Sequence, residues 1–89
     1  EAARLLTLAA ARKLDAGAAD ATAAAAMAKR FATDVGFQVV DRAMQLLGGY
    51  GYLADHAIER HFRDTRVHRI LEGTNEIMRL VVARHLLAG

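Results

Sequence analysis

The 89-residue sequence contains no cysteine, which removes disulfides, thiolate nucleophiles and thiolate metal sites together and fits a reducing compartment. It has no run of 18 apolar residues, and its opening, EAARLLTLAA, carries an acid and an arginine where a secretory signal needs a basic flank and an unbroken apolar stretch. A soluble, untargeted chain without a transmembrane segment is expected. Proline is absent, glycine numbers 7, and charged residues make up 25% against 54% hydrophobic, a composition of folded rather than disordered chains. The net charge of +2 comes from twelve Lys and Arg spread among ten acids. No basic block speaks for nucleic-acid binding. No two-residue alternation marks a strand, and no internal repeat is present. The four histidines, His56, His61, His68 and His85, share no metal-ligand spacing with acids, so no metal site is expected.

What is abundant is alanine, with twenty residues, the best helix former but a poor contributor of core area. So short a chain buries only about 60–65% of its unfolded surface, and its helices are expected to need support from elsewhere. No initiator Met precedes Glu1, which already lies within a helical pattern; the sequence reads as a piece of a longer chain.

Helical spacing of Ala3, Leu6, Ala10 and Leu14 predicts a first helix from Glu1 to about Ala16, stopped at Gly17. A second is predicted from Ala21 to Leu47, capped by the Asp20 carboxylate. Its apolar stripe is Ala24, Met27, Phe31, Val35, Val39 and Leu46, and its polar stripe Asp34, Gln38, Asp41 and Gln45. Gly36 within it would let a neighbouring helix approach. GGYGY, residues 48–52, reads as a loop. A short helix follows from about Asp55 to Arg66, with Ile58 and Phe62 inward and the pairs Glu59/Arg63 and Arg60/Asp64 outward. After an irregular link from Val67 to Gly73, a last helix runs from a Thr74 cap to about Leu87, placing Ile77, Leu80, Val81 and Arg84 on its buried stripe. The class is all-α, an antiparallel helical bundle.

Three features carry possible chemistry. Gln45 to Gly49, QLLGG, sets an amide at a helix end before two residues without side chains, which suits contact with a phosphate or an adenine ring; on composition alone an ordinary helix C-cap and turn is the favoured reading, since no strand precedes the glycines. Glu72 lies between Leu71 and Gly73. A carboxylate among apolar side chains is a stronger base than an exposed one, while the N-terminus of a following helix favours the charged form and opposes that effect; a plain helix-flanking acid is the alternative. Arg84 sits alone among apolar residues and either lays its stem on them or aims its guanidinium at an anionic ligand. Tyr50 and Tyr52 read equally as packing aromatics and as ligand contacts.

The order Q-x-x-G-G-x-G-Y, then F-R-D, then E-G-T-N-E-I-M-R, spread over Gln45 to Leu87, resembles the carboxy-terminal end of the acyl-CoA dehydrogenase family. GYGYL, RVHRILEG and NEIMR are most similar to its isobutyryl-CoA and other short or branched-chain members. The resemblance implies that residues 1–89 are an incomplete carboxy-terminal helical domain, the later part of a four-helix bundle. It further implies a flavin-dependent enzyme that oxidises a short or branched acyl-CoA to the trans-2-enoyl-CoA, with FAD as cofactor, an electron-transfer flavoprotein as electron acceptor and a homo-oligomer, a tetramer, as the assembly. The compartment it implies is the bacterial cytoplasm or the mitochondrial matrix. By the same resemblance Glu72 is the catalytic base. Gln45, Leu46, Leu47, Gly48 and Gly49 contact the adenosine and pyrophosphate of FAD, commonly that of a neighbouring subunit; Thr74, Asn75 and Glu76 form a second FAD-contacting segment, and Gly73 and Arg84 contact substrate. The 89 residues by themselves are expected to be inactive and to bind no flavin stoichiometrically. The alternatives are a non-catalytic helical oligomerisation module and an acyl-CoA oxidase-like flavoenzyme of the same fold.

Overall fold

The computed structural model describes residues 1–89, with four α-helices and no strand: α1 (Ala2–Asp15), α2 (Ala21–Leu47), α3 (Ile58–Arg66) and α4 (Asn75–Leu87). The expected class and helix order hold. No helix is long and apolar enough to cross a membrane. At 1.5 Å per residue, α2 is a rod of about 40 Å, and the molecule measures 49 × 23 × 18 Å. The other three helices pack on α2. The chain turns after α1 and again after α2, so that α1 and α4 lie along the first half of α2 and α3 along its second half.

Local chemistry explains the boundaries. Gly17, at φ +63, ends α1, and Gly48, at φ +61, ends α2 while its N–H returns to the carbonyls of Met44 and Gln45. Thr74 caps α4, its hydroxyl accepting from the Ile77 N–H at 3.3 Å. Asp20, in contrast, makes no side-chain cap. Its carboxylate is taken by the Lys13 ammonium across the α1–α2 connection, and this pairing holds it below the usual carboxylate range. GGYGY is a tight 3-10 turn (Gly48–Tyr52), not an open loop, and α3 begins three residues later than expected. Gly51 pulls this turn onto α2, since a Cβ there would lie 2.8 Å from Met44 Cγ. Gly36 serves no close approach, for a Cβ on it would meet nothing within 4 Å. Of the two outer pairs on α3, Arg63 closes on Glu59 at 2.9 Å, and Arg60 forms no ion pair with Asp64.

The core is made of small side chains: Ala10, Ala21, Ala23, Ala26, Ala28 and Met44 are its buried hydrophobic residues. The apolar stripe read from α2 is therefore corrected, since Met27 and Val39 are exposed and Leu46 is 90% exposed. Alanines let α1 and α4 approach α2 closely, and the larger residues are displaced to its flanks. On α4, likewise, Met78, Val81 and Val82 turn toward α2, whereas Ile77, Leu80 and Arg84 are exposed. Arg84 is not on the buried side. At the second half of α2, Phe62 meets Phe37 with ring centroids 5.1 Å apart, and the Arg69 guanidinium lies 5.6 Å from the centroid of that same Phe37 ring.

Candidate active site

Between α3 and α4 the chain passes through a short 3-10 turn (Val67–Arg69) and then reverses at Glu72 and Gly73. Both residues are left-handed, with φ of +57 and +85, and Glu72 is the chain's one non-glycine residue at positive φ. An L residue in that region costs about 1–2 kcal/mol, and such strain persists only where the surroundings over-determine it. Glycine is favoured at 73 by its φ of +85, which an L side chain rarely adopts; a Cβ there would also press on the mobile end of Met78, 2.7 Å away at Cε.

Glu72 lies at the rim of an open hollow of about 340 Å³ together with Leu14, Thr22, Ala25, Ala26, Met78 and Val81. Its carboxylate makes no hydrogen bond or ion pair within the chain, and its backbone N–H is likewise unused. The shelter expected from its neighbours in sequence is absent: Ile70 and Leu71 are 52% and 45% exposed and Glu72 is itself exposed. Apolar surroundings come from α1, α2 and α4 on one side only.

Beneath the turn lies a polar network that sequence reading missed. Asp34 of α2 is buried, and its Oδ1 accepts from Asn75 Nδ2 and from Arg69 Nε, both at 2.8 Å. Arg30 stands 3.6 Å and Arg79 4.0 Å from Oδ2. Burial works to raise the pKa of Asp34, but the bonds from Asn75 and Arg69 and the charges of Arg69 and Arg30 outweigh it and hold the group below the usual carboxylate range. Asn75 also donates to Thr33 Oγ1 at 2.8 Å, and its Oδ1 accepts from Lys29 Nζ at 2.6 Å. Lys29 further donates to the Gly73 carbonyl at 2.9 Å. Apart from the i,i+4 pair Arg30–Asp34, the partners are separated by 35 to 46 positions in sequence, so no local pattern announces them. The available signal was a group of charged residues, Lys29, Arg30 and Asp34, directly after the alanine-rich start of the helix, with Arg30 and Asp34 at ion-pair spacing.

The expected site residues fall into two places. Glu72, Gly73, Thr74, Asn75 and Glu76 cluster at the start of α4 against α2 between Thr22 and Asp34. Asn75 is 4% exposed and its side chain is committed to the network, whereas Glu76 is exposed. Gln45 to Gly49 are all exposed at the far end of α2, 11 or more residues beyond Asp34, about 16 Å along the helix. Around Gly48 and Gly49 a Cβ would meet nothing within 4 Å, so bare backbone faces open space. Arg84, two turns beyond Gly73's contacts on α4, makes no ion pair within the chain and is exposed.

Residues 1–87 match the family described as acyl-CoA dehydrogenase, C-terminal domain. The chain is 49% identical over 86 residues, 97% of its length, to the mitochondrial isobutyryl-CoA dehydrogenase of Bos taurus, covering 21% of that protein. It is 52% identical over 85 residues, 96% of its length, to the corresponding enzyme of Dictyostelium discoideum, covering 20% of it. The butyryl-CoA dehydrogenase structure from Megasphaera elsdenii superimposes with a TM-score of 0.91 at 44% identity, covering 98% of this chain and 22% of that one. The chain thus spans about a fifth of the length of the relatives it matches. Sequence match, helix order and superposition agree: this chain belongs to the acyl-CoA dehydrogenase family and forms the helical part at the family's carboxy-terminal end.

Proposed function

We propose that the chain is part of a flavin-dependent dehydrogenase of short or branched acyl-CoA thioesters, with Glu72 as the base that removes the α-proton. The observation that carries this reading is Glu72 itself: a carboxylate with no partner in the chain, on left-handed backbone, at the rim of an apolar hollow and with its N–H unused. Backbone strain at a residue that contributes nothing to packing is the mark of a functional position.

The residues present fit FAD at two places. At the end of α2, Gly48 and Gly49 leave room for direct approach to the backbone and Gln45 adds an amide, suiting the adenosine and pyrophosphate end of a flavin held by a neighbouring subunit. The first turn of α4 offers N–H groups without acceptors in the helix, with Thr74 and Glu76 flanking them. Because Asn75 is fully hydrogen-bonded within the chain, its side chain shapes this segment and only its backbone is free for a ligand. When bound, the flavin supplies the hydride acceptor.

The chain's own residues account for the rest. A Glu72 oxygen takes the proton from the carbon beside the thioester carbonyl. The Glu72 N–H donates to the thioester oxygen, where charge develops as that proton leaves. Gly73 keeps the approach clear of side chains, and bound acyl-CoA excludes water from the carboxylate and strengthens it as a base. Arg84 lies on the outward face of α4, available to an anionic part of the CoA ester. The exposed leucines of α1, α2 and α4 are surfaces for the rest of the enzyme and its oligomer. An electron-transfer flavoprotein is the acceptor that fits such an enzyme.

The test uses the full-length protein. Glu72→Gln is expected to keep its flavin and to lose about 10²–10⁴-fold in the rate of flavin reduction by acyl-CoA. Reduction at the original rate would show that the base lies elsewhere. The same bleaching assay over acyl-CoAs graded in length and branching identifies the substrate, with short branched thioesters expected to react fastest.

A further inference from the structure

The Glu72–Gly73 dipeptide holds the least probable backbone in the molecule with almost nothing attached to it. Neither N–H donates a hydrogen bond within the chain, and the Glu72 carbonyl accepts none. The one bond on either residue is the 2.9 Å contact from Lys29 Nζ to the Gly73 carbonyl. That ammonium is itself fixed by Asn75 Oδ1 at 2.6 Å. Asn75 is held in turn by Asp34 and Thr33, which rise from the same helix as Lys29. Lys29 also lines the hollow at whose rim Glu72 stands.

We propose that Lys29 is a positioning residue for Glu72: its ammonium, gripping the Gly73 carbonyl from α2, keeps the turn left-handed and thereby fixes the carboxylate and the Glu72 N–H relative to the substrate. This rests on the reading of Glu72 as the base. A positively charged donor makes a stronger bond to a carbonyl than a neutral one, and proton transfer demands placement of the reacting atoms to within about 1 Å. Arg69 and Asp34 tie down the segment before the turn and Thr74 caps the helix after it. Only Lys29 reaches the turn itself.

The experiment compares full-length Lys29→Met with wild type, every reading being taken per bound flavin so that losses of folding or cofactor cancel. The rate of flavin reduction at saturating acyl-CoA should fall tenfold or more, while the substrate concentration giving half the maximal rate changes less than threefold. An analogue with sulfur in place of the β-carbon isolates the step, because it can lose its α-proton but transfers no hydride. Its α-anion gives a long-wavelength charge-transfer band with oxidised flavin, and that band should weaken in the variant. A purely structural role for Lys29 would lower yield or melting temperature and leave both readings within twofold of wild type, which overturns the proposal. Should Lys29→Met hold too little flavin to measure, Lys29→Gln carries the same readings: its shorter, neutral amide does not reproduce the charged grip on the Gly73 carbonyl, so reduction is expected to fall severalfold, with Lys29→Arg, which keeps a charged donor, closer to wild type; wild-type values in Lys29→Gln overturn the proposal. An active Glu72→Gln would instead end the base assignment, whereas an inactive Glu72→Gln beside a normal Lys29→Met ends the Lys29 inference alone.

Discussion

At the junction before α4, each polar group beneath the turn is spoken for: Asp34, Asn75, Arg69 and Lys29 bind one another across three elements, and the strained residues ride on top. At the end of α2 the arrangement is reversed. Gln45 to Gly49 touch little, and the only tight packing is Gly51 against Met44. The first region spends side chains on holding one backbone geometry. The second leaves open space around Gly48 and Gly49. Glycine serves both, allowing a positive φ at 73, excluding a clash at 51 and leaving open space at 48 and 49.

Removing the hub should separate the two regions most sharply. Asp34→Ala leaves the Asn75 amide and the Arg69 guanidinium without their acceptor, and in the full-length protein it should lower stability by about 2–3 kcal/mol and slow flavin reduction through the displaced turn, read by thermal unfolding and stopped-flow absorbance. Gly51→Ala should cost about 1–3 kcal/mol through overpacking against Met44, and Gly73→Ala about 1–2 kcal/mol through its left-handed backbone, with only the second also impairing proton abstraction. A smaller effect concerns acidity. Because the native pKa of Asp34 is depressed, its contribution is complete above the unfolded carboxyl value near 4 and is lost as pH falls through the lower native value. Melting temperature should thus decline below about pH 4, and Asp34→Asn should decline less steeply over that window. The smallest change in stability belongs to Gly49→Ala, within about 0.5 kcal/mol, yet this variant should release flavin more readily on dilution. Unchanged flavin retention would remove the end of α2 from the cofactor site.

The end of α2 and the start of α4 were legible because Gly48 and Thr74 signal by local chemistry, in a glycine's freedom and a hydroxyl's reach. Which face of α2 is buried was not legible, since alanines crowd all sides of its first half and leave the larger apolar residues as a misleading stripe. Large apolar residues such as Val39 and Leu46 suggested a core that the small ones form instead. Glu72 stood out through its motif. Lys29 and Asp34 did not, because apart from Arg30 beside Asp34 their partners lie more than thirty positions away and meet them only once the chain has turned back along α2.

The length of α2 gives the proposed enzyme an architectural obligation. On the reading proposed above, a stiff strut with a proton-accepting corner braced against one half and a neighbour's nucleotide grip at its far tip would join two catalytic centres in one piece. Subunits that drift apart would shed cofactor while their own acid stays correctly aimed, so failure of the assembly should first be visible as a loss of yellow colour.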